Sequence, residues 1–368
     1  MDTNYDTHDN LTGPSEIIAS LPGILGFYPQ ESVVLLGLCP TEDSSRVVLG
    51  PVLRVDLSHA ANLCADIHLL PLGDCVFFFA VVITKIPDSL LATQAIDALY
   101  EAGRTCAVPL INACWHVSEI STGTPYKVIF GSEVGVIPPA WRQEWIGGTV
   151  SSVMASPAMR PLHENGALPE LEREDTFRFF DRLDPANEEE AENQNWLQNL
   201  AQMRASEMWR RIKGGDRDLK QVVEDVCALL HSGQPRPILS PWDQTQRGAL
   251  RGEEDELFQL ATLLSRSLLR DALMHDALHA PLTAARLFLG IAKTYTGLIR
   301  ANSLCLWAII AADRGLTTWA VAALVCAQEE VAGHTLSEML VTLIHSGKAK
   351  EFLEFVRVAP LDVWADLN

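Results

Sequence analysis

The sequence predicts two domains: an α/β N-terminal domain with a mixed, partly parallel sheet, and an all-α domain after it. Strand-like segments, short and rich in β-branched and aromatic residues, fall between residues 33 and 130. One helical pattern separates two of these segments, and a strand–helix–strand order is typical of parallel pairing. From residue 195 onward only helical periodicity appears. At 368 residues, the chain is long enough for two hydrophobic cores.

The strand segments are bounded by turn residues and differ in how apolar they are. The predicted strands are 33–38, 47–57, 76–83, 107–111 and 126–130. The segment from Val76 to Ile83 is continuously apolar, unlike a half-exposed strand, in which polar residues alternate. We therefore expect it to be a central strand covered on both faces.

A helix is predicted over residues 87–103, between the third and fourth strands. Asp88 or Ser89 can cap its beginning, apolar residues recur at helical spacing, and Gly103 supplies the stop. This helix is the crossover that makes part of the sheet parallel.

The chain changes character between residues 160 and 195. Prolines punctuate an acidic stretch that ends in EEEAE at residues 188–192, and periodicity weakens there apart from a possible short helix at 176–183. We place the domain boundary near residue 185, giving an α/β domain over 1–185 and a helical domain over 186–368.

The second half is predicted to consist of helices alone. Their expected ranges are 195–213, 217–231, 253–278, 282–297, 299–314, 317–331, 335–346 and 348–357. Near the end, small and apolar residues have the spacing of a tetratricopeptide-like helical hairpin. These residues are Leu304, Trp307, Ala308, Gly315, Ala320 and Ala327. A single repeat-like unit does not form a free-standing solenoid, so it is expected to pack on the preceding helices.

The net charge indicates which partners the chain can bind, and the cysteines and the first residues indicate its cellular compartment. The formal net charge of −19 repels nucleic acid and anionic lipid, and no apolar run reaches the ~18–20 residues that span a bilayer. The first ten residues are acidic and polar, unlike a secretory signal. The eight cysteines are scattered without a C-x-x-C pair, so we interpret them as reduced, buried thiols. The sequence thus predicts a cytoplasmic protein without nucleic-acid or membrane partners.

Four residues near the first two strands are candidates for a binding site. Arg54 and Asp56 are two residues apart in a strand, so both project from one face, either over a pocket or as a simple surface ion pair. Glu31 and Ser32 directly precede the first strand, where they either display a carboxylate and a hydroxyl or serve the turn. A G-x-S-x-G elbow does not surround Ser32, which disfavours a serine hydrolase.

Other motifs do not predict a cofactor or a metal. The sequence contains neither a G-x-x-x-x-G-K-[ST] loop nor a G-x-G-x-x-G turn, so we expect no classical nucleotide cofactor. His275 and His279 are four apart in a helical stretch and would share one face, as two metal ligands or as an ordinary helix surface. Cys114 and His116 are similarly ambiguous, and buried structure is the expectation there.

Two segments identify a family resemblance. LPGILGFYPQES at residues 21–32 and LRVDL at residues 53–57 resemble the opening of an actinobacterial family known only as domain of unknown function number four-one-nine-two. The likeness extends through the strand–helix–strand pattern to the region of Trp307–Ala327. It implies no activity, so no catalytic residue is carried over from it.

The function remains unknown from the sequence, and catalytic activity is undecided. The preferred hypothesis is a non-enzymatic cytosolic interaction or regulatory protein that binds a protein partner or itself. The alternative is an enzyme or small-molecule-binding protein with a site at the carboxyl ends of the sheet strands, near the domain junction, formed by Glu31, Ser32, Arg54 and Asp56.

Overall fold

The structure, a computed structural model, divides into two compact units. It describes residues 13–40, 47–66, 75, 77–102, 111–131, 142–216, 219–232, 235–240 and 254–358. The first unit comprises Met1–His163 and Leu168–Arg173, and the second comprises Glu164–Ala167 and Glu174–Asn368. The boundary near residue 185 stays a prediction about where independently folding domains meet.

The first unit contains all six strands of the described residues and short helices around them. Its elements are α1 (Pro14–Leu25), β1 (Ser32–Pro40), β2 (Val47–Asp56), α2 (Ala60–Asp66), β3 (Phe77–Ile83), α3 (Leu90–Ala102), β4 (Ala113–Val117), β5 (Pro125–Phe130), α4 (Arg142–Trp145), β6 (Gly147–Thr149) and α5 (Arg160–Glu164), whose last residue belongs to the second unit.

The strands form one sheet in the order β2-β1-β3-β4-β5-β6. Strands β3 and β4 are parallel, with Ile83 opposite Val117, and the other neighbouring pairs are antiparallel. Helix α3 is the crossover between the two parallel strands. The predicted mixed, partly parallel sheet is therefore confirmed.

Strand β3 is covered on both faces, as its continuous apolar sequence predicts. Phe79 and Val81 belong to a core that includes Ile18 of α1. On the other face, the intervening residue Ala80 packs in a core with Leu99 of α3. Because side chains alternate along a strand, a strand buried on both faces needs apolar residues at every position.

One predicted strand of the first unit lies mostly outside the described residues, and one helix had no sequence prediction. A strand was expected at 107–111, but residues 107–110 lie outside the described part, and the observed strand β4 begins at Ala113. Helix α1 occupies the apolar segment before the turn. It contains Pro22 and ends at Gly26, whose φ of 75° is the left-handed conformation that glycine adopts without strain.

The second unit is mostly helical, as predicted. Its helices are α6 (Arg173–Arg178), which begins at the unit boundary, α7 (Glu188–Lys213), α8 (Leu219–Ser232), α9 (Glu254–Leu264), α10 (Ser267–Asp271), α11 (Met274–His279), α12 (Pro281–Thr294), α13 (Gly297–Asp313), α14 (Thr317–Glu330), α15 (Thr335–His345) and α16 (Ala349–Val358).

The single helix expected at 253–278 is broken into α9, α10 and α11. Arg266 has φ −139° and ψ 136°, an extended conformation that ends the helical hydrogen bonding. The Ser265 amide instead donates to the Thr262 carbonyl in a tight turn, and Leu273 is in the turn before α11. Hydrophobic periodicity continues through such turns, so the sequence pattern does not reveal them.

The acidic stretch at 188–192 begins a 26-residue helix, whereas the sequence analysis interpreted it as part of a boundary segment. The Asn187 side chain accepts from the Glu190 amide at 2.9 Å, and the Glu190 carboxylate accepts from the Ala186 amide at 2.6 Å. This reciprocal capping favours a helix start, and the carboxylates of the first turn complement the helix dipole.

The cysteines differ from the expectation at one pair. Cys39 and Cys75 form a disulfide, so the prediction of reduced thiols is wrong for these two residues. Spacing along the chain gave no sign of the bond, because the two cysteines are 36 positions apart and only the fold brings them together. Cys114, Cys305 and Cys326 are buried and do not take part in this disulfide.

Among the described residues, no helix combines the length and the apolar character needed to cross a membrane.

Candidate functional site

The sheet brings the four predicted site residues to one end. Ser32, the first residue of β1, lies opposite Asp56 on one side and Ile83 on the other. Asp56 is the last residue of β2 and Ile83 is the last residue of β3. This end is therefore also where the parallel strands β3 and β4 have their carboxyl termini.

Arg54 holds this end together through its guanidinium group. Its Nε donates to Ser32 Oγ at 2.9 Å, and its Nη2 is 2.6 Å from Asp56 Oδ1. The Arg54 side chain is 14% exposed and that of Asp56 is 54% exposed. The guanidinium also lies 5.8 Å from the centre of the Phe27 ring. Arg54 and Asp56 share one face of β2, as their spacing predicts.

Ser32 is buried, and its hydroxyl both donates and accepts a hydrogen bond. Its Oγ donates to the Gln30 carbonyl and accepts from Arg54 Nε. A serine nucleophile needs a neighbouring base to take its proton, but here the proton is directed to a backbone carbonyl. The observed contacts therefore give Ser32 a structural role.

Glu31 has an unusual backbone conformation. Its φ of 41° lies in the left-handed region, the one positive φ among the described non-glycine residues. Its carboxylate accepts from Thr84 Oγ1 at 2.7 Å and from the Lys85 amide at 3.1 Å. Its carbonyl accepts from the Leu57 amide at 3.0 Å. These three bonds join the turn before β1 to the ends of β2 and β3 and hold the strained conformation in place.

Two further residues lie at this end, and the sequence did not place either of them there. Thr84 is fully buried, its hydroxyl donates to Glu31, and its carbonyl is 3.0 Å from His116 Nε2. A carbonyl only accepts, so Nε2 of His116 carries the proton. Thr84 was not a candidate, and His116 was considered only together with Cys114. Their contact depends on the pairing of β3 with β4, for which the sequence contained no local signal.

A second candidate site is a groove of 640 Å³ in the second unit. Polar and acidic side chains of the first turns of α7 line it, with others from α9 and the loop after α12. Its carboxylates and aromatic rings are Glu189, Glu190, Glu192, Glu254, Trp196 and Tyr295. Trp196 is 60% exposed, an unusual position for an aromatic ring of this size.

The groove is electrostatically negative and has a buried phenol at its wall. Tyr295 is 4% exposed, and burial, with a smaller contribution from Glu254, raises the pKa of its hydroxyl. The phenol therefore stays neutral, and the charge of the groove comes from the carboxylates. The acidic run was visible in the sequence, where it was interpreted as part of a boundary segment.

A buried polar cluster occupies the core of the second unit. Asn302 Oδ1 accepts from Arg270 Nη1 at 2.6 Å and lies 3.0 Å from His334 Nε2. His334 Nδ1 accepts from the Ser337 amide at 3.3 Å and lies 3.7 Å from Cys305 Sγ. This is the arrangement of a thiol beside an imidazole, which sequence reasoning did not foresee.

The protonation states of Cys305 and His334 indicate that this cluster stabilises the fold and is not a catalytic thiol–imidazole pair. Burial raises the pKa of Cys305 to about 12, so the thiol is protonated and a poor nucleophile at neutral pH. Burial, and then the charge of Arg270, lowers the pKa of His334. A neutral His334 suits its two bonds, because Nε2 donates and Nδ1 accepts.

Comparison with known proteins gives one match. The model of the family described as Domain of unknown function (DUF4192) matches residues 14–350. This match covers both the sheet and most of the helical unit. No curated protein and no solved structure matches the chain. The chain therefore belongs to the DUF4192 family.

Proposed function

We propose that this protein is a non-enzymatic interaction protein whose helical unit binds a positively charged segment of a partner protein. The groove between α7, α9 and the loop after α12 carries this proposal. Four carboxylates and an exposed tryptophan line it, and its volume lies in the range of ligand-binding clefts.

The chemistry of the lining selects the partner. Carboxylates form charge-assisted hydrogen bonds with lysine and arginine, and an indole face attracts a cation that lies over it. Glu189, Glu192 and Trp196 are all exposed on the first turns of α7. A segment with two or three basic side chains would satisfy both kinds of group, whereas the net charge of −19 repels acidic partners.

The experiment compares partners recovered from native extract. Tagged wild-type protein and Glu189→Lys/Glu192→Lys serve as bait, with Glu351→Lys/Glu354→Lys as the matched control on the exposed face of α16. The proposal predicts a protein with a basic segment that the wild type and the control retain and the groove variant loses. Recovery of the same proteins by all three baits, or of none by the wild type, would contradict it.

The tetratricopeptide-like hairpin is part of the same proposal. Helices α13 and α14 are joined at Gly315, whose φ is 75°, and Ala308, Ala320 and Ala327 are buried between helices. Small residues at such positions support close packing of two helices, which is how these repeats are built. In this proposal the hairpin packs against the helices beside the groove and stabilises them.

Cytoplasmic location is also proposed. The buried thiols of Cys114, Cys305 and Cys326 support it, whereas the Cys39–Cys75 disulfide is a bond typical of oxidising compartments and counts against it. Fractionation of intact cells tests the location. Recovery of the protein in the cytosolic fraction would agree with it, and recovery among exported or membrane proteins would contradict it.

The second candidate function is small-molecule binding at the sheet end formed by Glu31, Ser32, Arg54 and Asp56. The left-handed Glu31 favours it, because strained non-glycine residues concentrate at ligand sites. A thermal-shift screen of metabolites should then find a compound that raises the melting temperature of the wild type but not of Asp56→Asn. If no compound stabilises the wild type, this second function is wrong.

A further inference from the structure

Two histidines lie side by side on α11, and neither belongs to the two candidate sites. His275 and His279 are four residues apart, and the centres of their rings are 4.3 Å apart, with the planes inclined by 35°. Helical geometry explains the proximity, because residues i and i+4 share a face. His279 is exposed and His275 is half-buried.

The hydrogen bonds of the two rings fix their neutral tautomers. His275 Nδ1 is 3.3 Å from the Val356 carbonyl of α16, and His279 Nδ1 is 2.8 Å from the His275 carbonyl. A carbonyl cannot donate, so each Nδ1 carries the proton and each Nε2 has a lone pair. Both rings are therefore prepared as ligands through the same atom.

This arrangement is typical of histidines that bind metals. Such a histidine donates its other ring N–H to a carbonyl or carboxylate, which orients the ring and makes the free nitrogen more basic. The neighbouring Asp276 adds a negative charge, and its carboxylate lies 3.4 Å from His231 Nε2.

We propose that His275 and His279 form a bidentate site for a divalent transition-metal ion that prefers imidazole, such as Zn²⁺. The two Nε2 atoms supply two ligands. The described residues contain no group of three or more histidine, cysteine, aspartate or glutamate side chains suited to a metal. Water or a ligand from a partner completes the coordination. The proposal takes up one of the two alternatives that the sequence left open for this pair, a metal site or an ordinary helix surface.

Isothermal titration of the full-length, tag-free protein with ZnCl₂ in a non-chelating buffer tests the site. His275→Asn and His279→Asn are suitable variants, because the asparagine amide keeps a donor near the position of Nδ1 and removes the Nε2 ligand. Each is expected to weaken Zn²⁺ binding at least about tenfold. His345→Asn, which changes an exposed histidine on α15, is expected to bind as the wild type does.

A second readout separates loss of the metal from loss of the fold. Zn²⁺ should raise the melting temperature of the wild type and of His345→Asn but not of the double variant His275→Asn/His279→Asn. The melting temperatures without metal report whether the variants fold. Equal Zn²⁺ affinity in the wild type and the double variant would overturn the proposal, and so would a wild type that does not bind Zn²⁺.

Discussion

At the scale of single residues, two networks of polar side chains are each held together by hydrogen bonds and ion pairs among their own members. The Arg270, Asn302 and His334 side chains bond to one another in the helical core, and Arg54 bonds to Ser32 and Asp56 at the sheet end. A buried polar group without a partner costs several times what a typical bonded one contributes. These networks therefore select one packing of the surrounding helices and strands.

Protonation of His334 should weaken the fold. Its pKa in the folded chain lies below the ordinary value of 6.5, because burial and Arg270 disfavour the imidazolium. Between these two values the unfolded chain binds more protons, so the stability present above pH 6.5 decreases as the pH falls. The urea midpoint of the wild type, measured by circular dichroism, is thus expected to drop between pH 7.5 and pH 5.5.

The control for this prediction is His334→Asn. Asparagine is a good N-cap residue and can accept from the Ser337 amide, but it does not titrate. The variant should show a smaller decrease over the same pH range. An equal decrease in both proteins would mean that carboxylates or other histidines cause it.

The sequence predicted part of the residue-scale arrangement. Arg54 and Asp56 share a face because strand geometry is local, and this was visible from their spacing. Thr84 and His116 join the same end through strand register, which depends on contacts between distant parts of the chain. Local sequence patterns do not specify such register, so neither residue was predicted to lie at this end.

At the scale of elements, short-range signals explain where helices begin and long-range bonds hold the irregular segments. Asn187 and Glu190 start α7 by reciprocal capping. After α6, the chain from Phe179 to Leu183 is fixed by side chains of the helices that follow. Lys293 Nζ donates to the carbonyls of Phe179 at 2.6 Å and Asp181 at 2.9 Å, although burial lowers its pKa to about 8.

Substitution of Lys293 should make the backbone of residues 179–183 less stable. In Lys293→Met the two carbonyls lose their donor, at a cost of about 1–3 kcal/mol for an unsatisfied buried group, partly offset by the loss of a buried charge. Hydrogen exchange of residues 179–183 is therefore expected to be faster. Lys350→Met, which changes an exposed lysine of α16, should leave that exchange unchanged. Protection equal to the wild type in Lys293→Met would contradict the assigned role.

The elements were predicted well where periodicity is long and poorly where a turn interrupts it. Strand β3 and helix α3 appear close to their expected ranges, since a continuous apolar run and a capped amphipathic segment are local features. The breaks at Ser265 and Leu273 were invisible, because both turns keep apolar residues facing the core.

At the scale of the whole molecule, the chain combines a mixed sheet covered on both faces with a helical unit that carries a negative groove. The net charge of −19 makes the surface acidic on average, and the groove concentrates four carboxylates beside Trp196. The order of sheet and helices follows from the sequence, because each half has its own periodicity. The groove was not predicted, because it forms only when α9 and the loop after α12 meet the first turns of α7.

Titration of a fluorescein-labelled, arginine-rich peptide into the protein tests directly whether the groove binds basic segments. Glu189→Gln/Glu192→Gln should weaken binding at least about threefold, since two exposed ion pairs are lost, and Trp196→Ala should weaken it as well. Glu351→Gln/Glu354→Gln has the same net charge as the groove variant and should bind as the wild type does. Equal affinities of the two double variants would contradict binding in the groove.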